Sequence, residues 1–108
     1  MEYLKITINC RKNKTDELLR TCRVLTKQTR LINGCTSCGI AQSNANINRI
    51  ILEQQWEKRD FMDNYFQSDL FTTLLGAMKW LGENYEVNIN NGTKEDGMAS
   101  VRNARLKI

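Results

Sequence analysis

Arg49-Ile-Ile-Leu-Glu-Gln-Gln-Trp56 (RIILEQQW) is the stretch on which the fold turns. Ile50, Leu52, Gln54 and Trp56 fall on one face and Ile51, Glu53 and Gln55 on the other, the period of two that marks a strand. Just upstream, Ser43 to Asn48 (SNANIN) is polar and reads as a hairpin loop, and Cys35 to Gln42 (CTSCGIAQ) is the strand it joins, weakened by Gly39. Just downstream, Lys58 to Gln67 is expected as a short helix carrying Phe61, Met62, Tyr65 and Phe66. Ser68-Asp69 caps a further helix running to about Leu81, with Leu70, Phe71, Leu74, Leu75, Met78 and Leu81 as its buried stripe and Gly82 as its stop.

Working outward, Tyr3 to Asn9 (YLKITIN) alternates again: Leu4, Ile6 and Ile8 against Tyr3, Lys5, Thr7 and Asn9. A helix follows, with Thr15 as N-cap, Asp16 and Glu17 at the positive end of its dipole, and Leu18, Leu19, Cys22, Leu25 and Thr29 at helical spacing. It stops near Asn33-Gly34. Tyr85 to Asn90 (YEVNIN) makes a fourth strand, Asn91-Gly92 a turn, and Asp96 to Lys107 a short helix using Met98, Val101 and Leu106. The order β-α-β-β-α-β predicts an α+β fold: a ferredoxin-like antiparallel sheet with its helices on one face. It reads as a single domain over residues 1–108, with a core at about 3–90 and a tail at 91–108. The other face carries Ile51, and a second copy of the sheet would cover it.

The apolar fraction of 41% suits a globular domain, and no apolar run approaches the ~20 residues needed to span a bilayer. Met1 to Asn9 lacks the basic start and apolar stretch of a signal peptide, so a cytoplasmic location is expected. The net charge of +4 is spread over Lys12, Lys14, Arg20, Arg23, Lys27 and Arg30 and over Arg102, Arg105 and Lys107, a pattern of solvated helix faces. Nucleic acid is not expected as a partner, because RIILEQQW offers none of the exposed aromatics that stack bases on such sheets. The chain contains no His, which removes imidazole as base, haem ligand or metal ligand.

Cys35-x-x-Cys38 invites a redox or metal reading. In a regular strand, residues three apart point to opposite faces with Cα atoms roughly 10 Å apart, beyond the ~7 Å that a disulfide allows. A four-thiol zinc site with Cys10 and Cys22 is opposed by the topology, which sets Cys10 and Cys35 at opposite ends of parallel strands, about 20 Å apart. The expectation is four reduced thiols, mostly buried, and no metal.

Several of these residues together resemble the antibiotic-biosynthesis monooxygenase family. Asn33-Gly34-Cys35 sits where those domains carry Gly-Cys after the first helix. Glu53-Gln-Gln-Trp56, followed by Phe61-Met62, Tyr65, Ser68 and Phe71, is similar to the family's Glu-x-x-Trp, hydrophobic, His-x-x-Ser, hydrophobic run. The resemblance covers roughly residues 3 to 90 and implies a dimeric α+β barrel in which two sheets pack face to face. It also implies a pocket between sheet and helices in each subunit, lined here by Ile50, Leu52, Phe61 and Phe71, for a small aromatic ligand. The activity implied is that of a monooxygenase, an oxidoreductase, acting without a cofactor on a quinol or polycyclic phenol. The alternative is a non-catalytic ligand-binding or sensor dimer.

The chain departs from the family at Tyr65, where many members have the His that ligates haem iron, so haem degradation is not expected. Trp56, Tyr65 and Asn9 are the candidate catalytic residues. Trp56 is equally a core anchor with an indole donor. Tyr65 can donate to an oxyanion or simply pack. Asn9 matches a pocket Asn of the family's oxygenases, although alternation turns it away from Leu4, Ile6 and Ile8. Glu53 faces away from Trp56 and is expected to pair with Arg49 or with the partner subunit.

Overall fold

A computed structural model describes residues 1–106. The elements are β1 (Glu2–Cys10), α1 (Thr15–Thr29), β2 (Cys35–Gln42), β3 (Arg49–Trp56), α2 (Arg59–Gln67), α3 (Asp69–Leu81), β4 (Gly82–Ile89) and α4 (Lys94–Arg105). The sheet order is β2-β3-β1-β4, with every neighbouring pair antiparallel. This is the ferredoxin-like α+β arrangement expected from the alternation. The central register sets Ile6 opposite both Leu52 and Val87, so the apolar faces of the three strands coincide. Leu4, Ile6, Ile8, Ile50, Trp56 and Val87 are fully buried under the helices, with Leu18, Met62, Phe66, Phe71 and Met78 packed onto them.

Several boundaries differ from the sequence reading. Thr15 is the first helical residue rather than the cap. Its hydroxyl donates instead to Asn48 Oδ1 at 2.8 Å, tying α1 to the β2–β3 loop. Strand β4 begins at Gly82 rather than Tyr85, directly from the end of α3, and the Arg11 amide donates to the Leu81 carbonyl at 2.9 Å across that junction. The tail helix starts earlier, where the Thr93 side chain accepts from the Asp96 amide. Val101 is buried, but Leu106, expected to help anchor this helix, is 81% exposed; Lys107 lies outside the described residues.

Helix α4 lies along β4, the strand at one edge of the sheet. A Cβ on Gly97 would collide with the Val87 carbonyl oxygen, so glycine sets how closely helix and strand approach. One edge of the sheet is thereby covered. The edge at β2 is not, and β2 is also irregular. Cys35 pairs with Trp56, Ser37 with Gln55 and Cys38 with Gln54, which leaves Thr36 as the extra residue of a bulge. The Thr36 hydroxyl donates to the Gln55 carbonyl at 3.1 Å, giving the interrupted ladder a side-chain donor. The bulge corrects the expectation that Cys35 and Cys38 face opposite ways: both oppose inward-facing residues of β3, Cys35 packs against the core and Cys38 is buried.

Candidate functional site

The inward face of β3 ends in Gln54 and Trp56, and α2 brings Tyr65 onto them. Trp56 Nε1 donates to Gln54 Oε1 at 3.0 Å, and Gln54 Nε2 donates to the Tyr65 hydroxyl oxygen at 3.1 Å. All three residues are buried, Gln54 at 3% exposure. The Trp56 and Tyr65 rings stack with centroids 5.0 Å apart, and Phe71 meets Tyr65 edge-on at 5.2 Å. Phe66 completes the cluster, edge-on to Phe71 at 5.1 Å. The result is a polar chain of indole, amide and phenol set inside an aromatic box.

Burial raises the Tyr65 hydroxyl well above its ordinary 10.0, opposed in part by the Gln54 hydrogen bond, so Tyr65 is a neutral donor rather than a base. Burial likewise pushes the thiols of Cys22 and Cys38 up, to about 12 and about 11. Arg30, whose Nε donates to the Cys38 carbonyl at 2.8 Å, opposes the rise at both Cys35 and Cys38.

Of the three candidate catalytic residues, the structure brings Trp56 and Tyr65 together and sets Asn9 apart. Asn9 is on the outer face and pairs with Arg49, while Trp56 pairs with Glu2 at the other end of β1. Its amide donates to Asn84 Oδ1 at 2.6 Å and its carbonyl accepts from Arg49 Nε at 3.0 Å. Arg49 is thus engaged by Asn9 rather than by Glu53; the ion pairs among the described residues are Lys14–Glu17 and Arg59–Glu2.

Of the expected pocket lining, Phe71 touches Tyr65, Ile50 and Leu52 are packed in the core, and Phe61 is half-buried against Gly34, whose φ of +91° no other residue type adopts readily. These four side chains lie in or against the core and line neither of the two cavities around β2. One cavity, of about 370 Å³, is lined by Ser37, Cys38, Gly39, Ile40, Ala41, Ile51 and Glu53. A second, of about 330 Å³, is lined by Arg30, Cys35, Thr36, Ser37 and Cys38. The two meet at Ser37 and Cys38 around the free edge of β2. The candidate residue that the sequence did not single out is Gln54. Its signal was present, an amide at an inward position of a strand otherwise facing the core with apolar groups. Among the described residues no cluster of three or more metal-ligating side chains occurs, and no helix is long and apolar enough to cross a membrane.

No protein-family model and no curated protein matches this sequence. Solved structures do match it. A protein of Nitrosomonas europaea named as a candidate antibiotic biosynthesis monooxygenase superposes with a TM-score of 0.77 at 17% identity, covering 85% of this chain and 98% of its own. One of the same description from Deinococcus radiodurans gives 0.79 at 14%, covering 85% and 92%. A conserved protein of Methanosarcina mazei, with no activity in its name, gives 0.77 at 19% over the same shares. At these identities the likeness is one of backbone architecture, and the side chains of the site belong to this chain's own sequence. The chain therefore has the α+β fold of solved proteins named antibiotic biosynthesis monooxygenases.

Proposed function

We propose that this protein is a cofactor-independent monooxygenase of a quinol or polycyclic phenol, working as a homodimer, with the Gln54–Tyr65 pair as its anion-stabilising element. The observation that carries the reading is the buried Trp56–Gln54–Tyr65 chain. An amide inside an apolar core costs stability unless matched, and an all-apolar core would serve packing better. Here the amide is matched by two aromatic groups that can also donate. An ionised phenol passes an electron to dioxygen by itself, so the protein has to supply a dry site and donors for the phenolate oxygen. A phenolate entering between Gln54 and Tyr65 accepts from the Gln54 amide and from the Tyr65 hydroxyl, which its raised pKa keeps protonated. Trp56 holds the amide in the orientation that presents its N–H₂. Entry requires that the aromatic box open, and half-buried Phe61, in the lining implied by the family resemblance, is the ring placed to move.

A second reading is favoured by one observation. The donors satisfy each other and the box is filled, as suits a non-catalytic dimer that binds its ligand elsewhere, at the cavities around β2. Oxygen uptake with a panel of quinols separates the two. The oxygenase consumes oxygen in proportion to quinol oxidised; a binding module gives saturable binding with no uptake above the uncatalysed rate.

A further inference from the structure

Strand β2 has β3 on one side and no strand on the other, so every second residue turns its main chain outward. Two hydrogen bonds fix which residues these are. The Ser43 amide donates to the Arg49 carbonyl at 2.9 Å, so Ala41 and Gly39, two and four residues back along the antiparallel ladder, also turn their main chain toward β3. Cys38, Ile40 and Gln42 therefore turn theirs to the free edge. The Arg30 Nε, which reaches the Cys38 carbonyl at 2.8 Å from outside the sheet, marks the same side. Among the described residues no main-chain group bonds to the outward amide and carbonyl of Ile40 or of Gln42.

Arg30 sets where an added strand has to stop. It occupies the Cys38 carbonyl, so a chain running antiparallel to β2 pairs with Gln42 and Ile40 and then meets the guanidinium. The Arg30 Nη groups have no hydrogen-bond or ion-pair partner among the described residues. The 330 Å³ cavity that Arg30 shares with Cys35, Thr36, Ser37 and Cys38 is lined by no carboxylate. A guanidinium so placed, at the end of an open strand edge, is complementary to the terminal carboxylate of the added chain. The last residue of that chain falls opposite Gly39, where a Cβ would meet nothing within 4 Å. The 370 Å³ cavity alongside, with Ala41 and Ile51 in its wall and Glu53 at its side, has room for an apolar side chain.

We propose that the free edge of β2 binds the carboxyl-terminal segment of an extended peptide with an apolar last residue, added antiparallel to β2 as a fifth strand, with Arg30 holding its carboxylate. A second copy of β2 would have to displace Arg30 to continue past Cys38; a chain end does not. None of Trp56, Gln54 and Tyr65 takes part, so the site stands apart from the oxygenase chemistry.

The probe is the peptide Thr-Val-Thr-Val-Leu with a free carboxylate, labelled with fluorescein at its amino end and titrated with the full chain by fluorescence anisotropy. Saturable binding is expected. The same peptide ending in a carboxamide, and the free acid titrated with Arg30→Gln, should each bind about 10-fold more weakly or worse, since either change removes the charge-assisted pair. N-methylation of the penultimate residue, whose amide donates to the Ile40 carbonyl, should abolish binding. The carboxamide and N-methyl arms leave the protein unaltered, so they hold even if Arg30→Gln perturbs folding. No saturation below about 1 mM would overturn the site. So would equal affinities for acid and carboxamide, or indifference to N-methylation. Loss of the chain's own oligomers as the peptide binds would assign the edge to a second copy instead.

Discussion

Gln54 is surrounded by groups that bury it, and its stability depends on two neighbours. Its carbonyl accepts from the Trp56 indole and its amide donates to the Tyr65 hydroxyl. Removing either neighbour strands half of the amide, which costs about 1–3 kcal/mol for a buried unsatisfied group. Tyr65→Phe is therefore expected to lose that amount in urea unfolding, although it removes a single oxygen. Trp56→Phe, which loses both the donor and ring volume, is expected to lose a similar amount. A change within a few tenths of a kcal/mol for either would mean that the chain is not formed in solution. The thiols and Tyr65 make a second prediction. Their folded pKa values are raised, so the folded state holds protons that the unfolded state releases first, and stability is complete below the ordinary thiol value of 9.0 and falls as pH climbs toward about 12. The urea midpoint should drop steadily through that range, and a midpoint that is flat there would contradict the burial of these groups. At this scale the sequence told which face the residues of β1 and β3 take, but not that Gln54 and Tyr65 meet. That contact depends on how α2 docks, which periodicity does not encode.

Among the elements, the strands and long helices were legible because each satisfies one strong periodicity. The strand of Tyr3 to Asn9 and the stripe of α3 leave no other face to bury. The bulge in β2 was not legible. Thr36 and Ser37 offer no turn signal, and the extra residue is accommodated by a hydroxyl-to-carbonyl bond to Gln55 that depends on register. Strand regularity assumed for Cys35 to Gln42 therefore gave the two thiols the wrong relative facing. Helix α4 was placed roughly, but what anchors it is Gly97 against Val87 together with Val101, rather than Leu106. Gly97→Ala forces backbone apart from backbone, and the expected cost is about 1–3 kcal/mol. In a domain of this size that lowers the thermal midpoint by roughly 4–8 °C per kcal/mol. An unchanged melting curve would mean that α4 is not docked along β4.

At the scale of the whole molecule, the outer face of the sheet is where the proposed partner would sit. That face is largely polar, as the alternation implies: Lys5, Thr7, Asn9, Glu53, Gln55 and Asn88 surround Ile51, so a dimer there would rest on hydrogen bonds and shape as much as on apolar burial. Light scattering is expected to give about twice the 12.5 kDa of the chain. A stable monomer at micromolar concentration would remove the barrel from the reading while leaving the inner aromatic box intact. The proposed chemistry takes place in that box. The most direct test is the rate of oxygen consumption by Tyr65→Phe relative to the parent chain, on whichever quinol the parent oxidises, with folding of the variant verified. The expected result is a fall of about 10-fold or more, because one of two donors to the phenolate is gone. Equal rates, or no oxidation of any quinol by the parent, would contradict it.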